Sequence, residues 1–199
     1  MNYLGHLYLS GDNHELMLAN LFGDFVKGKD YTYLPQIIQD GVGLHRQIDD
    51  FVDRHPLVSE LRLKLYKELP KIAGIAIDLF FDHLLAKHWS KYHPKPLNQY
   101  VDRFFYFVKD RIEQKHHPHP FEFPDQFIQL NNVMHKQNWF IQYQNIDGLV
   151  MASTGLSKRI SFPNNLNEAD IVFIEYTEEI EHVFNIYILD AKNRFNIHY

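Results

Sequence analysis

Apolar residues recur every three to four positions along most of this 199-residue chain, a period typical of helices that bury one face. Cap-like residues at Asp12 and Asn13, and the helix-breaking pair His55-Pro56, mark two of the boundaries. Residues 1–10 alternate in a way that also fits a strand, but no second strand is predicted to pair with them. We therefore predict an all-α fold, a single compact multi-helix domain over residues 1–199, with helices at residues 13–27, 35–54, 56–67, 71–92, 97–115, 124–144 and 165–192.

The composition narrows the classes of function. The chain has no cysteine, so a thiol nucleophile and thiolate metal sites are excluded, and any metal must be held by His, Asp, Glu, Asn or water. The net charge of −5 argues against nucleic acid as a partner. The N-terminus carries no positive leader, and no run of 18 apolar residues occurs. We therefore expect no membrane partner and a cytoplasmic protein.

Polar residues four positions apart lie on one face of a helix. Two carboxylates at this spacing repel each other, and burying them is costly unless a cation compensates their charge. His83 directly follows one such pair, and His6 lies within the apolar segment LGHLYL. Three predicted helices carry a polar pair of this kind in apolar surroundings: Asn20 with Asp24, His45 with Asp49, and Asp78 with Asp82.

Each of these residues also has an ordinary structural explanation. His6 could be a buried histidine with satisfied ring nitrogens, and His45 with Asp49 could be a helical ion pair worth about 0.2–0.5 kcal/mol. The pair of Asp78 and Asp82 is the hardest to explain without a cation. Carboxylates with a few imidazoles suit Mn²⁺, Mg²⁺ or Fe²⁺, and such ions activate water and neutralise phosphate charge during hydrolysis.

Five segments in order resemble the acyl carrier protein phosphodiesterase family over about residues 1–160: MNYLGHLYLS, NLFGDFVKG, GLHRQIDDFVDRHP, DLFFDHLLAKHW and NWFIQY. That family is similar to the HD-type metal-dependent phosphohydrolases, which are all-α. The resemblance implies a metal-binding hydrolase of lipid metabolism, connected with fatty acid biosynthesis. It implies that a divalent metal, Mn²⁺ first and Mg²⁺ or Fe²⁺ as alternatives, supports hydrolysis of the phosphodiester joining 4′-phosphopantetheine to a serine of holo acyl carrier protein, which leaves the apo form.

The resemblance also implies a set of site residues. Asp49 is expected to orient His45, and Arg46 is suited to a phosphate oxygen through its fork of donors. Trp139 and Tyr143 of the last segment are expected to pack beside the site. We predict the metal ligands Asp24, His45, Asp78, Asp82 and His83, converging on one concave site, and the catalytic residues His6, Arg46, Asp49 and His88.

The predicted partner is holo acyl carrier protein as substrate, and the oligomeric state stays open. Because carrier-protein helices are acidic, we expect docking at the basic side chains of residues 55–100, and we interpret the acidic C-terminal helix as a solvated face. One alternative is a metal-dependent hydrolase of a small phosphorylated metabolite or nucleotide on the same scaffold. Another is a helical binding protein whose polar pairs are buried salt bridges. The docking prediction concerns Arg62, Lys64, Lys67, Lys87 and Lys91.

Overall fold

A computed structural model describes residues 1–113 and 121–199. In these two ranges the chain forms α-helices, short 3-10 turns and no strand, which confirms the all-α prediction; the likeness to HD-type phosphohydrolases stays a prediction. The predicted end of the helix over residues 97–115 lies outside the described residues. The helices are α1 (Tyr3–Tyr8), α2 (His14–Phe22), α3 (Gln36–Arg54), α4 (Pro56–Leu65), α5 (Ala73–Lys87), α6 (Leu97–Glu113), α7 (Asp125–Lys136), α8 (Trp139–Gln142), α9 (Ile146–Ser157), α10 (Ala169–Glu175) and α11 (Thr177–Arg194).

The first segment is a helix, so the strand that its alternation also fitted is not formed. The first N–H groups of a helix have no partner within the helix and need an external acceptor. Asp82 of α5 supplies it, because its Oδ2 lies 2.8 Å from the N–H nitrogen of Leu4 and its Oδ1 lies 3.0 Å from that of Gly5. A carboxylate distant in sequence therefore caps α1, which no local pattern could indicate.

Helices α2 and α3 pack with their backbones close together, and glycine is what allows this. A Cβ atom added at Gly41 would lie 2.3 Å from the Cβ of Ala19 and 2.7 Å from the backbone nitrogen of Asn20. Helix α5 contacts α1, α4, α9 and α11, and its residues Phe80 and Phe81 are fully buried. The polar residues of α1, α2 and α3 are thus gathered beside the central α5.

Two of the predicted helices are divided in the structure, and one observed helix was not predicted. The helix predicted over 124–144 breaks at Asn138, which adopts a left-handed φ of 51° between α7 and α8. The helix predicted over 165–192 divides at Tyr176, where Oγ1 of Thr177 donates to the carbonyl of Phe173. Helix α9 was not predicted, because Gly, Ser and Thr residues interrupt its apolar pattern.

The acidic C-terminal helix is more than a solvated face. Residues such as Phe184 and Tyr187 of α11 are fully buried. Its Glu179 pairs with Lys64 of α4, and Oε1 of Glu181 lies 2.9 Å from Nζ of Lys87 on α5. The acidic side chains therefore pair with basic ones within the fold. Among the residues described, no helix has both the length and the apolar character that a membrane span requires.

Candidate functional site

Two histidines and two carboxylates meet where α1, α2 and α3 converge. The rings of His6 and His45 stack with centroids 4.2 Å apart. Asp49, one turn after His45, places Oδ1 3.2 Å from Nε2 of His6 and Oδ2 3.3 Å from Nε2 of His45. Asp24 places Oδ1 3.3 Å from the same Nε2 of His45. Gly23 leaves room for this arrangement, since a Cβ there would lie 2.4 Å from Cγ of His45.

The side chain of Asn20 determines where the protons of both imidazoles lie. Its Nδ2 donates to the carbonyl of His6 at 3.1 Å and to Oγ of Ser10 at 2.8 Å, so its Oδ1 is an acceptor. That oxygen lies 2.9 Å from Nδ1 of His6 and 3.2 Å from Nδ1 of His45. Both Nδ1 atoms must therefore carry hydrogen, and in the neutral rings both Nε2 atoms present lone pairs.

These lone pairs face ionised carboxylates. Burial lowers the pKa of His6 more than its contact with Asp49 raises it, so the imidazolium form is disfavoured. Burial alone would raise the pKa of Asp49, but the positive charge of a protonated His6 or His45 would hold that pKa below its usual value, so the ionised carboxylate favours a positive charge at the two rings. The pKa of Asp24 is also lowered, chiefly because its contact with His45 outweighs burial.

Lone pairs that face carboxylates repel them unless a cation lies between. His6, His45 and Asp49 each offer a ligand atom, and these atoms lie within 4.8 Å of one another. Two imidazole nitrogens with carboxylate oxygens form a ligand set that suits divalent metals such as Mn²⁺, Fe²⁺ or Zn²⁺. The residues present therefore fit a divalent cation.

The cluster opens into a cavity of about 310 Å³ that α5 also lines through Asp78. Oδ1 of Asp78 lies 2.8 Å from the buried amino nitrogen of Met1. Among the predicted ligands, Asp24, His45 and Asp78 are thus brought to one cavity, together with His6 and Asp49.

Asp82 and His83 do not join this cavity, so the prediction that all five ligands converge is wrong for these two. Asp82 is fully buried and its oxygens hold the first N–H groups of α1. That burial raises the pKa of Asp82 to about 7. Nδ1 of His83 lies 2.7 Å from the carbonyl oxygen of Tyr143, and its ring packs edge-on against Phe173. Backbone partners thus hold both oxygens of Asp82 and Nδ1 of His83.

Arg46 and His88 also lie outside the cavity lining. Nη2 of Arg46 donates to the carbonyl of Gly28 at 2.7 Å, and its guanidinium lies 4.7 Å from the ring centre of Tyr31. Nε2 of His88 lies 3.6 Å from Oε1 of Glu181 on α11. Arg46 follows His45 in the chain, but the helix turns its side chain by about 100° towards the loop after α2.

The sequence reasoning missed the part played by Asn20. Helical spacing paired it only with Asp24, yet its fully buried amide contacts both histidines. The available signal was an amide among apolar residues of a helix, in the segment LANLF. A buried amide needs partners for all of its polar atoms, and here the partners are the site histidines.

The fold and this cluster define a class, an all-α protein with an imidazole and carboxylate centre of the kind that hydrolases use. Residues 1–190 match the family described as acyl carrier protein phosphodiesterase. The chain belongs to that family, which is a family of hydrolases. No solved structure matches the chain.

Curated relatives that bear the family's name match this chain along most of their length. A protein named acyl carrier protein phosphodiesterase from Photorhabdus laumondii is 30% identical over 159 residues, which cover 80% of this chain and 77% of that protein. One of the same name from Escherichia coli K12 is 32% identical over 160 residues, which cover 80% of this chain and 79% of that protein. The similarity thus extends over more than three quarters of each relative.

Proposed function

We propose that this protein hydrolyses the phosphodiester that joins 4′-phosphopantetheine to a serine of holo acyl carrier protein, with a divalent cation held by the cluster. The observation that carries the proposal is the contact of Asn20 with both histidines, because it turns two Nε2 lone pairs towards carboxylates. Mn²⁺ is the first candidate, and Mg²⁺ and Fe²⁺ are the alternatives. The names of the curated relatives support the choice of substrate.

The ligands we propose are His6, His45, Asp49 and Asp24, with Asp78 across the same cavity. When bound, such a cation supplies positive charge to a phosphodiester and makes water more acidic. Asn20 keeps both rings in one tautomer and orientation, as hydrogen bonds to metal-ligating histidines commonly do. The carboxylates, half-exposed at the cavity, stay in position to attract a cation.

The docking surface predicted for the carrier protein loses its support. Arg62 pairs with Asp53, Lys64 with Glu179 and Lys87 with Glu181. Three of the five predicted basic side chains are thus already paired with acidic ones of this chain. We therefore assign no carrier-protein docking role to α4 and α5.

The test is mass spectrometry of holo acyl carrier protein after incubation with the protein and Mn²⁺, beside a metal analysis of the purified protein. We expect conversion of the holo form to the apo form, release of phosphopantetheine, and loss of activity after chelation. Carrier protein that stays in the holo form, while a small phosphorylated metabolite or nucleotide is hydrolysed, would favour the small-molecule hydrolase instead.

A matched pair of variants on α3 sharpens this test. Asp49→Asn should lose bound metal and hydrolysis, because it removes the carboxylate that contacts both histidines. Asp50→Asn changes the neighbouring carboxylate, which pairs with Arg54 away from the cluster, and should retain both. Equal behaviour of the two variants would contradict the proposed centre.

A further inference from the structure

A second cavity of about 230 Å³ lies beside the candidate metal centre, and we call it the α9 cleft. One of its walls is a single face of α9 and the residues after it, at positions 148, 151, 152, 155, 156 and 159. The aromatic side chains of Trp139 and Tyr143 also line the cleft. Among the described residues that line it, Arg159 is the only charged one.

The α9 cleft adjoins the cavity of the metal centre. Asn2, Tyr3 and Leu156 line both cavities. The pKa of the Tyr3 phenol is raised to about 12, chiefly by burial and then by Asp24 of the cluster, while Arg159 of the cleft lowers it through its charge and a hydrogen bond. Because three residues line both cavities, a ligand in the cleft lies next to the candidate metal centre.

Two glutamines give the cleft an unused donor and an unused acceptor. Oε1 of Gln137 accepts from the indole N–H of Trp139 at 2.8 Å, so its Nε2 is the free donor. Nε2 of Gln142 donates to the carbonyl of Gln137 at 2.7 Å, so its Oε1 is the free acceptor. Within the described residues, neither free atom has a hydrogen-bond partner. One donor and one acceptor are what a secondary amide of a ligand requires.

We propose that the α9 cleft binds the pantetheine arm of the carrier protein's prosthetic group, while Arg159 contacts the phosphodiester at the end nearer the metal centre. The inference rests on the proposed function. The arm has a branched aliphatic part, which suits Trp139 and Met151, and two secondary amides, one of which the free donor of Gln137 and the free acceptor of Gln142 can satisfy. Guanidinium groups bind phosphate oxygens through paired hydrogen bonds.

Gly155 gives a direct way to block the cleft. Nothing lies within 4 Å of a Cβ atom added there, so Gly155→Leu fills open space in the cleft and favours the helix. The matched control is Thr154→Leu, which adds similar bulk to the same helix at a position that does not line the cleft.

The probe is pantetheine, which lacks the phosphate and so reports on the arm alone. Titration into each protein is followed by tryptophan fluorescence, because Trp139 lines the cleft while Trp89 is buried elsewhere. We expect Gly155→Leu to weaken pantetheine binding and to raise the KM for holo carrier protein, each by about tenfold. Thr154→Leu should match the unaltered protein in both measurements.

The outcomes separate this inference from the proposed function. Saturable pantetheine binding that Gly155→Leu weakens, without any hydrolysis of holo carrier protein, would support the cleft and contradict the proposed function. Hydrolysis of the carrier protein with the same KM and the same pantetheine response in Gly155→Leu and Thr154→Leu would overturn the cleft.

A second variant guards against misfolding of the first. Met151 lines the cleft and is 51% exposed, so Met151→Glu removes an apolar contact at little cost to the fold. It should weaken pantetheine binding in the same direction as Gly155→Leu, and its circular dichroism should be unchanged. If both variants bind pantetheine as tightly as the unaltered protein, the arm binds elsewhere.

Discussion

The cluster around His45 and the carboxylate of Asp82 are made from the same kinds of residue, but their polar atoms are satisfied in different ways. Asp82 accepts from two backbone N–H groups of α1. The carboxylates of Asp24 and Asp49 instead face Nε2 of His45, whose Nδ1 is already bonded to Oδ1 of Asn20. The hydrogen-bond partners of each carboxylate therefore distinguish a helix cap from a candidate metal ligand. The spacing of the residues along a helix does not distinguish them.

The largest expected effect tests whether the cluster holds a metal. His45→Gln should abolish bound divalent cation and hydrolysis, because it removes an Nε2 atom that faces two carboxylates. His55→Gln is the matched control, since His55 is also 7% exposed and its Nε2 lies 3.2 Å from Asp190. Metal analysis and single-turnover assays on both proteins make the comparison; equal metal content would contradict the cluster as a metal centre.

The second effect concerns the cap on α1. Asp82→Ala should lower the free energy of unfolding by about 2–4 kcal/mol, because it leaves two buried N–H groups without an acceptor. Asp82→Asn keeps one acceptor oxygen and should lose roughly half as much. Urea unfolding gives both values. Folded Asp82→Asn should bind as much metal as the unaltered protein. If this variant instead loses its metal but keeps its full stability, Asp82 is a metal ligand and not a cap.

The third effect is the contribution of the buried Asp82 to the pH dependence of stability. Native Asp82 keeps its proton up to a pH of about 7, while its ordinary pKa is 3.8. Between these values the folded state holds a proton that the unfolded state has lost, so stability falls as the pH rises, by at most about 1.4 kcal/mol per unit.

Unfolding experiments from pH 4 to 8 on the unaltered protein and on Asp82→Asn isolate this contribution. As the pH rises to about 7, the unfolding free energy of the unaltered protein should fall relative to that of Asp82→Asn. Above that pH the difference between the two proteins should stay constant. A difference that does not change with pH would show that Asp82 is ionised throughout and that the N–H groups outweigh its burial.

The smallest effect tests how Asn20 is held. Ser10→Ala removes the oxygen that accepts from Nδ2 of Asn20, so the amide is less firmly oriented towards the histidines. Metal affinity should fall by about tenfold, as for other groups that support metal ligands. Ser153→Ala, at another fully buried serine whose Oγ donates only to a backbone carbonyl, should leave metal affinity unchanged.

The sequence indicated site residues where two polar side chains lie one helical turn apart. His45 and Asp49 lie one turn apart on α3, and this spacing alone indicated a shared face. The same spacing relates Asp78 and Asp82, but only Asp78 lines the cavity, so the spacing alone could not tell these two residues apart. The family resemblance placed Arg46 at the site as a phosphate ligand, yet its Nη2 donates to the loop carbonyls of Val26 and Gly28.

Local pattern by itself determined that the chain is helical, which segments hold most of the helices, and that no thiol takes part in its chemistry. These properties depend on residues within a turn or two of one another. The tertiary structure alone decided that residues 3–8 are a helix, that Asn20 joins two histidines, and that Asp82 is a cap. Each of these depends on hydrogen bonds between residues 14 to 78 positions apart, and a buried polar group takes whichever partner the packing brings near.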